Sequence, residues 1–146
     1  MKISKITKKD FAKWMELGVL FWSRHPKEKT EREFRRIINS KNEVSFVCKN
    51  EHESFLGFIN LAIRTDYVEG SKTSPVGYLE GIYVKEAYRK KGVAKMLWQE
   101  AEKWLIKKGV SEIGSDTGTD NVASQKFHQK MGFKKGETLI HYLKKI

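Results

Sequence analysis

The chain has one cysteine, Cys48, so no disulfide or cysteine-based zinc site can form within it, and packing alone must hold the fold. Proline is nearly as scarce. Pro26 and Pro75 each fall in a polar connecting stretch, and no linker, repeat or low-complexity tract divides the 146 residues. We therefore expect one domain spanning 1–146. No run approaches the roughly 20 consecutive apolar residues of a membrane helix. The opening Met1-Lys2-Ile3-Ser4-Lys5 also lacks the apolar core of a signal peptide, so the expected location is the cytoplasm, with no membrane partner. Acidic residues are outnumbered, 18 to 29, which leaves a formal charge of +11 with the histidines neutral. That excess suits a polyanionic partner, a phosphate-bearing cofactor or simple solubility, and does not choose among them. Like charges never run to five; they come as pairs and triplets such as Arg89-Lys90-Lys91, which argues against a disordered nucleic-acid arm.

Hydrophobic spacing divides the chain into alternating elements. After a strand near Lys2–Ile6, Asp10 is placed to cap a helix whose apolar positions are Phe11, Trp14, Met15 and Val19. Thr30 and Glu33 have capping-box spacing ahead of a second helix that buries Phe34, Ile37 and Ile38. Val44–Cys48 and Phe55–Arg64 then change to β-branched and aromatic composition, joined by the polar Lys49–Glu53, and predict a hairpin. Val76–Val84 predicts a third strand. From Gly92, the positions Val93, Met96, Leu97, Ala101, Trp104 and Leu105 share one helical face that stops at Lys107-Lys108-Gly109. Val110–Asp116 predicts a short strand, Asn121–Met131 a helix closed by Gly132, and Thr138–Leu143 a last strand. The class is α/β, a mixed sheet built largely from consecutive elements.

The chemistry-bearing segment is Arg89-Lys90-Lys91-Gly92-Val93-Ala94. It joins a strand to a helix start, where unsatisfied N–H groups and the positive helix end attract anions. Gly92 and Ala94 let a phosphate approach the main chain, and the three cations add charge. A solvated basic turn is the alternative reading. Arg-x-x-Gly-x-Ala between strand and helix resembles the acetyl-coenzyme A motif of the GCN5-related N-acetyltransferase (GNAT) family. Asn121 through Phe133, ending in Gly132-Phe133, resembles that family's later helix. Within the family, Phe21 through Pro26, Ile63 through Gly70, Ser74-Pro75-Val76, Leu79 through Val84 and Ser115-Asp116-Thr117 are similar to the chromosomal-type aminoglycoside 6′-N-acetyltransferases.

This resemblance implies an acyl-CoA N-acyltransferase fold: a mostly antiparallel sheet with splayed central strands, flanked by helices. It implies acetyl-CoA as co-substrate, with the pantetheine arm along Ile82, Tyr83 and Val84. The pyrophosphate would lie on Arg89, Lys90, Lys91, Gly92, Val93 and Ala94, and Asn121 would reach the coenzyme from the far side. Without the resemblance, Ile82–Val84 reads as plain core strand. Glu80 stands out within an apolar strand; it is an ammonium binder and base, an outward-facing residue, or a core salt bridge. Asp116 ends the next strand, where open α/β sheets place ligands, or caps a loop. Carried over by resemblance, Glu80, Asp116 and Glu137 meet the amines of a cationic acceptor, and Trp22 and Tyr67 offer flat faces to sugar rings. Trp22 also suits the core, Glu137 also suits a surface turn, and Asp66 and Glu69 are secondary candidates.

Direct transfer needs a neutral amine, a thioester within reach and a proton donor for the departing thiolate. Where many relatives carry a tyrosine, this chain has His128, either that acid or a half-buried helical histidine, with Tyr142 a weaker substitute. Cys48 ends a strand and reads as packing. His25, His52, His128 and His141 show no metal spacing, so no metal is expected. The resemblance implies a homodimer and an aminoglycoside acceptor. Two other readings are a family member acting on a protein amine or polyamine, and a basic module that binds RNA or another polyanion.

Overall fold

The computed structural model describes all residues, Met1–Ile146, which divide into two compact units, Met1–Ser115 and Asp116–Ile146. In the first unit, β1 is Lys2–Lys5, α1 Phe11–Phe21, α2 Lys27–Asn39, β2 Glu43–Lys49, β3 Phe55–Arg64, β4 Val76–Val84, α3 Val93–Lys107 and β5 Ile113–Ser115. Short 3-10 turns occupy Lys8–Asp10 and Glu86–Tyr88. The sheet order is β1-β2-β3-β4-β5. Its first three pairings are antiparallel and β4 with β5 is parallel, the mixed sheet expected from the sequence. β3 is buried from Phe55 through Ala62, as a continuous apolar run covered on both faces should be.

One core joins Trp14, Leu17, Phe34, Val47 and Phe58 beneath α1 and α2. Trp14 stacks on Phe34 with centroids 3.6 Å apart and planes 9° from parallel. That closeness depends on Gly18, where a Cβ would meet the Phe34 ring at 2.6 Å. α3 buries Val93, Leu97, Trp98, Ala101 and Leu105 and packs against β2, β3 and β4.

Local expectations fail where tertiary contacts override short-range pattern. Asp10 takes the N-cap position of α1 but makes no side-chain cap hydrogen bond; it accepts from the Thr7 amide at 3.0 Å and hydroxyl at 2.8 Å, and pairs with Lys49 at 3.1 Å. Val19 is 36% exposed, while Leu17 and Gly18 take the buried face of α1. Thr30 lies inside α2, which Pro26 starts earlier; its side chain is buried against α1 rather than capping.

The second unit contains α4, Val122–Lys130, with Asn121 Oδ1 accepting from the Ser124 amide at 3.1 Å. Gly132, at φ +90°, and the Phe133 amide donating to His128 O at 3.0 Å close the helix. No residue of this unit is buried. Within this unit no strand forms over Thr138–Leu143, where one was expected.

Candidate active site

Glu80 sits on a β-bulge. Asn60 pairs with Gly81 and Leu61 with Leu79, so Glu80 has no residue opposite it on β3. A bulge redirects a side chain without ending the strand, which is how an acidic residue emerges from an apolar run. Glu80 is the one exposed residue of β4, between buried Leu79 and buried Gly81. The parallel pairing with β5 ends at Leu79–Ser115, so from Glu80 to Val84 that edge of β4 has no strand partner.

The carboxylate is not bare. Arg64, the last residue of β3, donates from Nη2 at 2.8 Å and from Nε at 3.2 Å, both to Glu80 Oε1. The guanidinium carbon stands 3.4 Å from the centroid of the Tyr78 ring. Sequence reasoning missed Arg64, because an arginine at a strand end is unremarkable until the bulge register is known.

Trp22 packs into the core, one of its two readings. Its half-buried ring packs against Phe21, Phe34 and Phe58, with centroids 4.5, 6.0 and 6.1 Å away. Trp22 also lines a cavity of about 240 Å³ with Phe21, Ser23, Arg24 and His25. The ring lies over Gly81, where a Cβ would meet Phe21 at 2.8 Å and Trp22 at 3.2 Å, so the aromatic end of α1 and the Glu80 bulge are brought together. Tyr67 is 77% exposed, on the loop before β4, and its hydroxyl donates to Glu69 at 3.3 Å. That loop is anchored by Val68, buried with Val76 and Tyr78, and by Glu112, which accepts from Thr73 Oγ1 and the Lys72 amide. These two hydrogen bonds hold the Glu112 carboxyl below its ordinary pKa.

Beyond β4, the basic turn is shaped for an anion. Lys90 and Gly92 take φ of +59° and +85°, and the first helical hydrogen bond of α3 runs from Met96 to Gly92. The amides of Lys90 through Lys95 therefore meet no backbone acceptor, and no side chain caps the helix. A Cβ on Gly92 would touch nothing, so glycine is required there for its φ rather than for space. Arg89 Nε donates to Val84 O at 3.1 Å and ties the turn to the half-buried end of β4, Ile82–Val84. A row of unclaimed N–H groups at a helix start, ringed by Arg89, Lys90 and Lys91, fits a pyrophosphate.

In the second unit, Asp116 and Glu137 are exposed, Tyr142 is 89% exposed, and Asn121 spends its oxygen on the α4 cap. His128 Nδ1 lies 2.7 Å from the carbonyl of Ser124. A carbonyl only accepts, so Nδ1 carries the hydrogen. The ring is half-buried between Phe127 and Phe133. Cys48 is fully buried, and burial pushes its thiol pKa up, the reverse of an activated nucleophile.

Comparison with known proteins identifies the family. The model of the acetyltransferase (GNAT) family matches residues 14–133. The aminoglycoside N(6′)-acetyltransferase type 1 of Salmonella enteritidis is 36% identical over 99% of both chains. The protein of the same name from Acinetobacter haemolyticus is 34% identical over 100% of this chain and 99% of its own. Among solved structures, AAC(6′)-Iy in complex with the bisubstrate analog CoA-S-monomethyl-acetylneamine superposes with a TM-score of 0.93 at 35% identity, covering 99% of this chain and 98% of its own.

Proposed function

The chain belongs to the acetyltransferase (GNAT) family, and from that premise we propose that it is an acetyl-CoA-dependent aminoglycoside 6′-N-acetyltransferase. Acetyl-CoA, the co-substrate, brings the acetyl group as a thioester. In the transfer the amine nitrogen bonds to the acetyl carbon and the carbon–sulfur bond breaks; one proton leaves the nitrogen and one reaches the sulfur. No enzyme nucleophile is needed, because proximity provides much of the acceleration.

The observation that carries this reading is the Glu80 bulge: a carboxylate lifted out of β4 where its parallel partner ends, next to Gly81, over which Trp22 lies. A polycationic acceptor approaching a protein of charge +11 needs local carboxylates to offset the overall repulsion. We assign Glu80, Asp116 and Glu137 to the acceptor's ammonium groups, with Glu80 and Asp116 also taking the departing proton through water. Trp22 and Tyr67 stack on its sugar rings. The main chain of Ile82, Tyr83 and Val84 holds the pantetheine arm as a strand edge holds a peptide. The amides and charges of Arg89, Lys90, Lys91, Gly92, Val93 and Ala94 hold the pyrophosphate, and Asn121 contributes its side-chain amide donors. His128 is the proton donor to the thiolate.

We further propose a single domain acting in the cytoplasm as a homodimer. The exposed Leu139, Ile140, Tyr142, Leu143 and Ile146 support a second chain covering the C-terminal segment. No helix is long and apolar enough to cross a membrane. The test of the site is Glu80→Gln and Asp116→Asn: each should raise the acceptor's KM or lower kcat while leaving the KM for acetyl-CoA nearly unchanged. Unaltered kinetics in both variants would remove these carboxylates from the site.

A further inference from the structure

Glu80 is poorly constrained by its own backbone. A bulged residue lacks a cross-strand neighbour, and a glutamate side chain has three torsions to lose. What fixes its carboxylate is Arg64. Both Arg64 nitrogens, at 2.8 and 3.2 Å, reach the same atom, Oε1, and Oε2 accepts no hydrogen bond. The guanidinium is itself held, because it lies across the Tyr78 ring, and Tyr78 is 8% exposed and packed with Val68 and Val76. A buried ring thus sets the plane of a cation, the cation claims one carboxylate oxygen, and the other oxygen is presented in a fixed direction.

The charges lead to the same conclusion. Arg64 offsets part of the Glu80 charge, so what its grip adds for an acceptor is the direction of one hydrogen bond. Lysine could not do this, because an ammonium has no plane to lie on Tyr78 and no second nitrogen to grip Oε1. We propose that Arg64 is a positioning residue that acts through Glu80, holding Oε1 so that Oε2 is aimed at the acceptor amine. This rests on the assignment of Glu80 to the acceptor and adds a residue that the assignment did not include.

The experiment is a double-mutant cycle with Arg64→Gln, Glu80→Gln and their combination, plus Arg64→Lys. Acceptor KM, kcat, acetyl-CoA KM and Tm are measured with a kanamycin-type aminoglycoside bearing a 6′-amine. Arg64→Gln is expected to raise the acceptor KM about tenfold, equivalent to about 1.4 kcal/mol, with acetyl-CoA KM unchanged. Arg64→Lys should recover little of that loss. In the Glu80→Gln background, Arg64→Gln should add less than about a twofold change, because its route of action is already gone. An acceptor KM within about twofold of wild type in Arg64→Gln, or effects that multiply in the double variant, would overturn the proposal. Should Arg64→Gln unfold, Arg64→Lys decides by the same criterion. Wild-type turnover with an unaffected Arg64 variant sinks only this inference, whereas absent wild-type turnover sinks the proposed function along with it.

Discussion

Replacing Gly81 by alanine would place a methyl group where two rings already lie. The new Cβ would stand 2.8 Å from Phe21 Cε1 and 3.2 Å from Trp22 Cζ2, against the roughly 3.5–4.0 Å of a relaxed carbon–carbon contact. The rings must withdraw by about 0.5–1 Å. Phe21 is wedged between Trp22, Phe58 and Tyr83, with centroids 4.5, 5.9 and 5.9 Å away, so it has little room to yield. Overpacking of this kind costs about 1–3 kcal/mol, partly offset by the roughly 0.4–1 kcal/mol that Gly→Ala gains by restricting the unfolded chain. At roughly 2–4 °C per kcal/mol for a chain of this size, Tm should fall by several degrees. Displacing Trp22 from over Gly81 should also raise the KM for the acceptor while sparing that for acetyl-CoA. Calorimetry and steady-state kinetics read the two effects, and Phe21→Leu in the same chain should restore part of both. A Gly81→Ala protein with wild-type Tm and acceptor KM would refute the claim that the aromatic end of α1 presses on the bulge.

Asp10 tests a second part of the fold. Burial alone would raise its pKa, but hydrogen bonds from Thr7 and the Lys49 ammonium outweigh this and hold the carboxyl below the usual range. A lowered folded-state pKa stabilises above the unfolded value, and that contribution is lost as pH falls through the folded one. Asp10→Asn should therefore cost about 2 kcal/mol at pH 7, less than the roughly 3–5 kcal/mol of a fully buried pair. In urea titrations at several pH values the deficit should shrink below about pH 4, and a pH-independent deficit would contradict the linkage. Gly92→Ala, at φ +85°, should cost about 1–2 kcal/mol of backbone strain and raise the KM for acetyl-CoA while sparing the acceptor. An acceptor-only effect would dissociate the turn from the pyrophosphate. Cys48 should resist a thiol reagent in the native protein and react on unfolding, which rapid native labelling would disprove.

Strands and the long helix were the most legible features, because each combines a strong period with clear punctuation. Phe55–Arg64 and Val76–Val84 match the observed strands to the residue, and α3 begins after Gly92 and ends at Lys107 as its glycines and cations indicate. Caps were less legible. Thr30 and Glu33 have the spacing of a capping box, yet Pro26 starts the helix and tertiary packing against α1 claims Thr30. Thr138–Leu143 has strand composition, but no strand forms there within its unit, since β-propensity alone does not make one. At the site, Glu80 stood out as an acid among apolar residues, whereas the bulge and the Arg64 contact arise from β3–β4 register, which only the paired strands reveal. The family resemblance was readable in the turn Arg89–Ala94 and in the helix ending Gly132-Phe133, and the family match over residues 14–133 agrees with it.

The most direct test of the account is thiol release from acetyl-CoA by the wild-type protein. The acceptors are kanamycin- and gentamicin-type aminoglycosides with a 6′-amine, a 6′-hydroxyl analogue, spermidine and a lysine peptide. The account predicts turnover with the 6′-amino compounds and none with the 6′-hydroxyl analogue. Silence on every aminoglycoside, with turnover on spermidine or the peptide, would contradict it.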